Sequence, residues 1–383
     1  MTTLSPPSNK QASPSASPKL QPVTGQQPKS SVRVAILGCG QIADAHLSQI
    51  QRIKFAETVA VCDSLEDLAY QAAARFNVPA MFTDWREMLQ QAQPDVVHLA
   101  TPAHTHAALA IELMRSGVHV YVEKPFTLDV NEADRVLAVA RETGIAICVG
   151  HDQLFDPVWL RVKQLVAQGA IGPVGFVESV LGYPINGQFG KLVASDPNHS
   201  VRRLPGGLFQ NTISHPLYRM TDYLTDEVPT LIGGWERNAE FDFPTELHVS
   251  LLGEKVNGTL TFSTRIPPQR ITRVYGEKGT LTVDFDTQVI RREARPRLPG
   301  AFAKLEAPLQ HVTESVRNLT RNLWRFAWGD IHYFAGMKTL FEQFYRSIMH
   351  GSEPPIPAIE IRRVTHIMDQ IFDHCRRQEG GQA

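Results

Sequence analysis

The chain has 383 residues, 43% of them hydrophobic and 20% charged, with 38 Lys plus Arg against 39 Asp plus Glu. That length exceeds the ~250 to 300 residues at which one hydrophobic core stops growing, so two domains are expected and wholesale disorder is excluded. The near-neutral balance excludes a global basic field for nucleic acid, and no run approaches the ~18 apolar residues of a membrane span.

Cys39, Cys62, Cys148 and Cys375 stand singly, without the spacing of a disulfide framework or a zinc site, so reduced thiols in the cytoplasm and no metal are expected. The first 31 residues hold six Pro and seven Ser. They cannot bury enough surface to offset their chain entropy, and a disordered tail rather than a signal peptide is expected.

From Val32 the run VRVAILG reads as a strand buried on both faces. Helical patterns near 41–53, 66–76, 104–116 and 129–143 then alternate with the strands TVAVCD, DVVHLAT, HVYVEKP and AICVG. Such alternation predicts an α/β, doubly wound parallel sheet over 32–150 with right-handed crossovers, a Rossmann domain. Beyond residue 151 the period changes to two, with Leu247, Val249 and Leu251, then Leu260 and Phe262, then Leu281, Val283 and Phe285. A second, α+β domain over 151–350 with a large mixed, mainly antiparallel sheet is predicted. One late helix carries Ile331, Phe334, Phe341, Phe344 and Ile348 and stops at Gly351. Another, with Ile361, Val364, Ile367, Met368 and Ile371, lies in a C-terminal segment 351–383 that packs back on the domains.

The first strand runs into Gly38-Cys39-Gly40-Gln41-Ile42-Ala43, a G-x-G-x-x-A turn that opens a helix. Small residues there let backbone N–H groups approach a pyrophosphate at the helix N-terminus. The second strand ends in Asp63, where a carboxylate accepts from the adenosine ribose and repels a 2′-phosphate, and Ser64 adds no positive charge. NAD is therefore favoured over NADP.

The strand DVVHLAT ends at Thr101-Pro102, with His106 following, and HVYVEKP ends in Glu123-Lys124-Pro125. With the glycine turn, these motifs resemble the glucose-fructose oxidoreductase, inositol dehydrogenase and rhizopine catabolism family (Gfo/Idh/MocA). The resemblance implies an N-terminal Rossmann domain, a C-terminal mixed sheet carrying substrate residues, and a catalytic role for Lys124. A cation at a strand end can also hydrogen-bond a substrate oxygen as charge develops. Residues 206–218, GGLFQNTISHPLY, resemble the family's second-domain motif, with Asn211 where the family has Asp and His215 at the acid/base position. Asn211 can orient a hydroxyl but cannot be a base. The cofactor set implied is Gly38, Gly40, Gln41, Ile42, Ala43, Asp63, Thr101, Pro102, His106, Glu123 and Lys124.

Two further positions depart from the family pattern. The usual Asn-x-Arg-Phe run is Asp152-Gln153-Leu154-Phe155 here, and an expected aspartate is Tyr218. Asp152 and Tyr218 are taken as substrate contacts, as are Arg202 and Arg203, which either hold a carboxylate or nucleotide-sugar phosphates or form a solvated loop pair. The reading that follows is an NAD-dependent oxidoreductase moving hydride at a secondary hydroxyl carbon of a sugar or nucleotide-sugar, working as a homodimer or homotetramer. Its rivals are an NAD-using glycosidase-like enzyme and a catalytically silent regulatory or scaffold protein on the same fold.

An insertion over about 302–328 completes the reading. Phe302, Leu309, Val316 and Leu323 recur every seven residues, and Leu305, Val312, Leu319 and Phe326 form a second register. Pro308 is expected to start the helix. The seam is expected to dock on its own second domain. Pairing with a second subunit is the next reading, and peripheral membrane contact is the third: Arg317, Arg321, Arg325, Trp324 and Trp328 suit an interface, while Glu306 and Glu314 offset Lys304 and the arginines.

Overall fold

A computed structural model describes residues 31–294, 298–327 and 334–380. The tail expected over 1–31 lies outside them except for Ser31, as do Trp328 and Ile331.

The first sheet contains β1 (Val32–Leu37), β2 (Ala56–Cys62), β3 (Met81–Phe82), β4 (Val96–Leu99), β5 (His119–Val122) and β6 (Ile147–Val149), all parallel, in the order β3-β2-β1-β4-β5-β6. Val34, Ala35 and Ile36 are completely buried, as expected for a strand covered on both faces. The order reverses between β1 and β4, which opens a crevice at the carboxyl ends of those strands. β3 and the helix Trp85–Ala92, capped by the Asp84 carboxylate on Arg86 N–H at 2.8 Å, add to the expected elements. Two residues of strand are too few to show a period.

The second sheet contains β7 (Val174–Gly182), β8 (Thr230–Arg237), β9 (Pro244–Leu252), β10 (Asn257–Ser263), β11 (Gln269–Gly276), β12 (Gly279–Asp284) and β13 (Val289–Ala294). Its order is β13-β12-β11-β7-β10-β9-β8; β7 and β10 run parallel and every other pair antiparallel. The period-two residues Leu247, Leu251, Leu260, Phe262, Leu281 and Val283 face inward at 1% exposure or less.

Helix Ala358–Gly380 buries Ile361, Val364, Ile367, Met368 and Ile371 and straps the two domains together. Its Asp369 accepts from Val130 N–H at 2.6 Å, and its Arg362 pairs with Asp134 at 2.7 Å, both on the Rossmann domain. The preceding helix, Met337–His350, ends at Gly351 in the left-handed conformation. Sequence grouped it with the second domain, yet Phe341 packs on the rings of His46, His98 and Tyr121 at 4.6–5.2 Å, in the Rossmann core. Its aromatic face matches the aromatic cluster under β4 and β5.

Helix Ala303–Ala327 corrects two expectations. It begins before Pro308, which removes one backbone donor near the helix start and does not stop the helix. Its apolar seam faces away from the protein, and its polar side docks. The cause is β13, an edge strand whose backbone groups need partners that hydrocarbon cannot supply. Asn318, 4% exposed, donates to the carbonyl of Ile290 at 2.7 Å and accepts from its N–H at 3.2 Å. Arg321 and Asn322 donate to the carbonyls of Gln288 and Thr287 at 2.8 and 3.0 Å.

Candidate active site

The nucleotide end starts where β1 stops. Gly38 turns with φ +98°, and a Cβ there would stand 2.6 Å from the Ala100 carbonyl carbon, so only glycine fits where the turn crosses the end of β4. Gly40 is exposed, and a Cβ on it would meet nothing within 4 Å. It precedes helix Gln41–Ile50 without a side-chain cap, which leaves the amides of the first turn to an anion. Gln41 is exposed, Ile42 half-buried and Ala43 wholly buried against the sheet. The residues therefore fit a dinucleotide pyrophosphate. Asp63 accepts from Cys39 N–H at 2.7 Å and from Leu65 N–H at 2.9 Å, so the carboxylate assigned to the ribose also braces the glycine turn.

On the other side of the crevice, the Thr101 and Thr105 hydroxyls lie 2.6 Å apart and Pro102 is exposed. His106 is 1% exposed and sits between two carbonyl oxygens, Thr101 at 2.8 Å and Pro125 at 3.0 Å. It ties the loops after β4 and β5 together instead of facing a cofactor, and burial lowers its pKa.

Lys124 follows β5. Its ammonium donates to the carbonyl of Asn211 at 3.1 Å, bringing the Rossmann strand end onto the 206–218 segment of the second domain. Gln210 reinforces the junction by donating to the carbonyl of Leu128 at 2.7 Å. Glu123, 6% exposed, lies behind the lysine and accepts from Lys124 N–H at 3.0 Å. Burial would raise its carboxyl, but His46, 2.9 Å away, and the Lys124 charge hold it below the usual carboxylate range. The chain of contacts continues from His46 Nδ1 to His98 Nδ1 at 3.0 Å and from His98 Nε2 to the Tyr345 hydroxyl at 2.8 Å. One proton order satisfies every contact: Tyr345 donates to His98, His98 to His46, and His46 to Glu123. Burial and the neighbouring His46 push the pKa of His98 well down, in keeping with a neutral ring.

His215 lies near the start of helix Ser214–Thr221, three residues before Tyr218 and on the same face. Its Nδ1 is 2.7 Å from the Tyr218 hydroxyl, which also accepts from Gln153 N–H at 3.2 Å and donates to Asp152 Oδ1 at 3.3 Å. With Tyr218 donating to Asp152, His215 donates from Nδ1, and the lone pair stays on Nε2. Burial, then the charges of Lys124 and Arg219, hold the His215 pKa well below its ordinary value, so the ring is neutral at physiological pH. Asp152 is pushed up to about 7 by burial and by the charges of Glu123 and Asp156.

The residues assigned to substrate are placed differently. Tyr218 is 1% exposed and Asp152 8%; both stand behind His215 and orient it. Arg202 pairs with Asp242 at 2.6 Å and stacks on Phe243, and Arg203 donates to the carbonyl of Asn198 at 2.9 Å. Both guanidinium groups are engaged within the second domain. Asn211 contributes its carbonyl oxygen to Lys124.

Sequence reasoning missed His46, His98, Tyr345, Gln153 and Arg219. A histidine inside the apolar run VVHL was a visible signal for His98. Arg219 is wholly buried, donates to Gln153 and to Thr272 Oγ1, and lies over the Phe285 ring. It reaches the 152–155 turn, where the family pattern has an arginine and this chain has Leu154.

Comparison with known proteins agrees with this architecture. The description "Oxidoreductase family, NAD-binding Rossmann fold" matches residues 32–151, and "GFO/IDH/MocA C-terminal domain" matches 159–282. The scyllo-inositol 2-dehydrogenase (NAD(+)) of Bacillus subtilis is 32% identical over 37% of this chain and 42% of that one. Glycosyl hydrolase family 109 protein 1 of Akkermansia muciniphila is 27% identical over 41% of this chain and 34% of that one. The matches span 50%, 44% and 42% of the length of three such curated relatives, and 82% of Oxidoreductase P35 of Formosa agariphila. Among solved structures, the WlbA dehydrogenase of Bordetella pertussis, in complex with NADH and UDP-GlcNAcA, superposes with a TM-score of 0.72 at 20% identity, covering 92% of this chain and 98% of that one. With family models matching residues 32–151 and 159–282, the chain belongs to the GFO/IDH/MocA family of NAD-binding Rossmann oxidoreductases.

Proposed function

We propose that this protein oxidises, or in reverse reduces, a secondary hydroxyl carbon of a sugar or nucleotide-sugar. The observation that carries the reading is the meeting of Lys124 with the 206–218 segment that bears His215. Bound NAD would accept the hydride as the C–H bond breaks. Gly38, Gly40 and the first amides of helix Gln41–Ile50 would hold its pyrophosphate, and Asp63 its ribose. Lys124 donates a hydrogen bond to the substrate oxygen and stabilises the negative charge that develops there. His215 takes the hydroxyl proton on Nε2, and the imidazolium so formed is balanced through Tyr218 by Asp152. In the reverse direction the same proton returns to the carbonyl oxygen. A homo-oligomer acting on a soluble substrate completes the reading.

The test is NADH formation by the purified chain with NAD and a panel of inositols, free sugars and UDP-sugars. His215→Ala should lower turnover by about 100- to 10,000-fold. Wild-type turnover in that variant across pH 6 to 9 would assign the proton to another group. The kinship to a glycosyl hydrolase supports a second reading, in which NAD is reduced and reoxidised within one turnover. Glycoside cleavage without accumulation of NADH would establish it in place of the first.

A further inference from the structure

The eight seam residues of helix Ala303–Ala327 and the turn before it are 55–74% exposed, although each is a large hydrophobe. At roughly 100 Å² apiece they present an apolar stripe on the order of 800 Å², beyond the ~300 to 600 Å² of the largest patch on a typical monomer. About 800 Å² is also what each partner contributes to a standard stable interface.

The order of the residues along the stripe says what covers it. From Phe302 through Leu305, Leu309, Val312, Val316, Leu319 and Leu323 to Phe326, the seam reads the same in both directions. We propose that a second copy of this chain docks antiparallel on this helix, related by a two-fold axis that passes near residue 314. Phe302 then meets Phe326, Leu305 meets Leu323, Leu309 meets Leu319, and Val312 meets Val316. Each layer sets one heptad register against the other, as an antiparallel coiled coil requires. A parallel pair would place no palindromic demand on the sequence.

The flanks agree. Thr313 and Thr320 border the seam on one side with Glu306, and Pro308, Ser315 and Asn322 on the other. With one charged residue among the six, no like charges meet across the axis. A lipid surface fits less well. The seam is narrow, its borders are polar, and Arg321 and Arg325 turn inward to the Gln288 carbonyl and side chain at 2.8 Å, not outward to phosphates. The seven-residue repeat also matches the left-handed winding of paired helices.

The experiment uses the full chain in sedimentation and in short bismaleimide cross-linking. Val312→Asp together with Val316→Asp places four carboxylates at the axis and should halve the particle mass at micromolar concentration. Circular dichroism should stay unchanged, because both side chains are exposed in the protomer, and the melting temperature should fall only by what the lost interface contributed. The four native cysteines are buried, which keeps the cross-linking background low. Ser315→Cys lies beside the axis and should cross-link to its own copy. Leu305→Cys should cross-link only when mixed with Leu323→Cys. A wild-type monomer, an unchanged mass in the double variant, or Leu305→Cys cross-linking to itself would overturn the arrangement. Co-sedimentation of wild type with phosphatidylglycerol vesicles, lost in the double variant without a change of mass, would assign the stripe to a lipid surface instead.

Discussion

Replacing Asp152 by asparagine probes the site through two readouts at once. The carboxyl is 8% exposed and pushed from 3.8 to about 7 by burial and by Glu123 and Asp156. Below pH 3.8 it is protonated in folded and unfolded chains alike. Between 3.8 and about 7 the unfolded chain releases a proton that the folded chain keeps, so this group lowers stability as pH rises, and above about 7 its penalty is complete. At ~1.4 kcal/mol per pH unit, the full penalty is about 4 kcal/mol, of which about 3 kcal/mol falls between pH 5 and pH 8.5. The amide of the variant cannot ionise. Urea unfolding of both proteins at those two pH values should therefore show the wild type losing about 3 kcal/mol more than Asp152→Asn. In turnover, the wild type should gain kcat/KM through an inflection near 7, as the ionised carboxylate comes to balance the His215 imidazolium, and the variant should be flat there. Parallel stability curves and an unchanged inflection in the variant would refute the placement of Asp152 behind His215.

Lys124→Ala should lower kcat about 100-fold or more while leaving the NAD dissociation constant within a few-fold, if its ammonium serves the substrate oxygen as proposed; equal losses in both, by stopped-flow and calorimetry, would place the lysine on the cofactor. Asp63→Ala should narrow the preference for NAD over NADP, because the 2′-phosphate is no longer repelled. It should also weaken NAD itself, because Cys39 and Leu65 N–H lose their acceptor; titration of both cofactors reads both effects, and a wild type that prefers NADP would contradict the assignment. Gly38→Ala should cost at least ~2 kcal/mol and abolish NAD binding, since the new methyl would lie 2.6 Å from the Ala100 backbone at a φ of +98°; a variant that melts like wild type and binds NAD would show that the turn can shift.

What was legible in the sequence was whatever is local and periodic. The apolar run at Val32, the glycine turn and the alternation of Leu247, Val249 and Leu251 each announce themselves within a few residues. Their motifs singled out Lys124 and His215 as candidates, although sequence could not show that Asn211 would offer its backbone carbonyl to the lysine. What sequence could not show depends on distant meetings. His46 and Tyr345 join one chain of contacts through His98 from 52 and 247 residues away, and nothing near them in sequence signals it. Arg202 and Arg203 looked like an anion clamp because a guanidinium advertises charge but not its partner. The helix after Phe302 failed differently. Its pattern was read correctly, but the assumption that an apolar stripe turns inward ignored the open backbone of β13, which attracts polar side chains.

The strap formed by helix Ala358–Gly380 bears on how the molecule comes into being. Val130 N–H and Asp134 acquire their partners from residues 239 and 228 positions downstream. A nascent Rossmann domain thus has time to collapse around its own sheet while this rim waits, unpaired, for a helix still to be translated. On its arrival a second set of contacts joins the two domains, beside those that Lys124 and Gln210 make. A chain cut short within that helix would keep the nucleotide domain's own sheet and lose this second set of contacts.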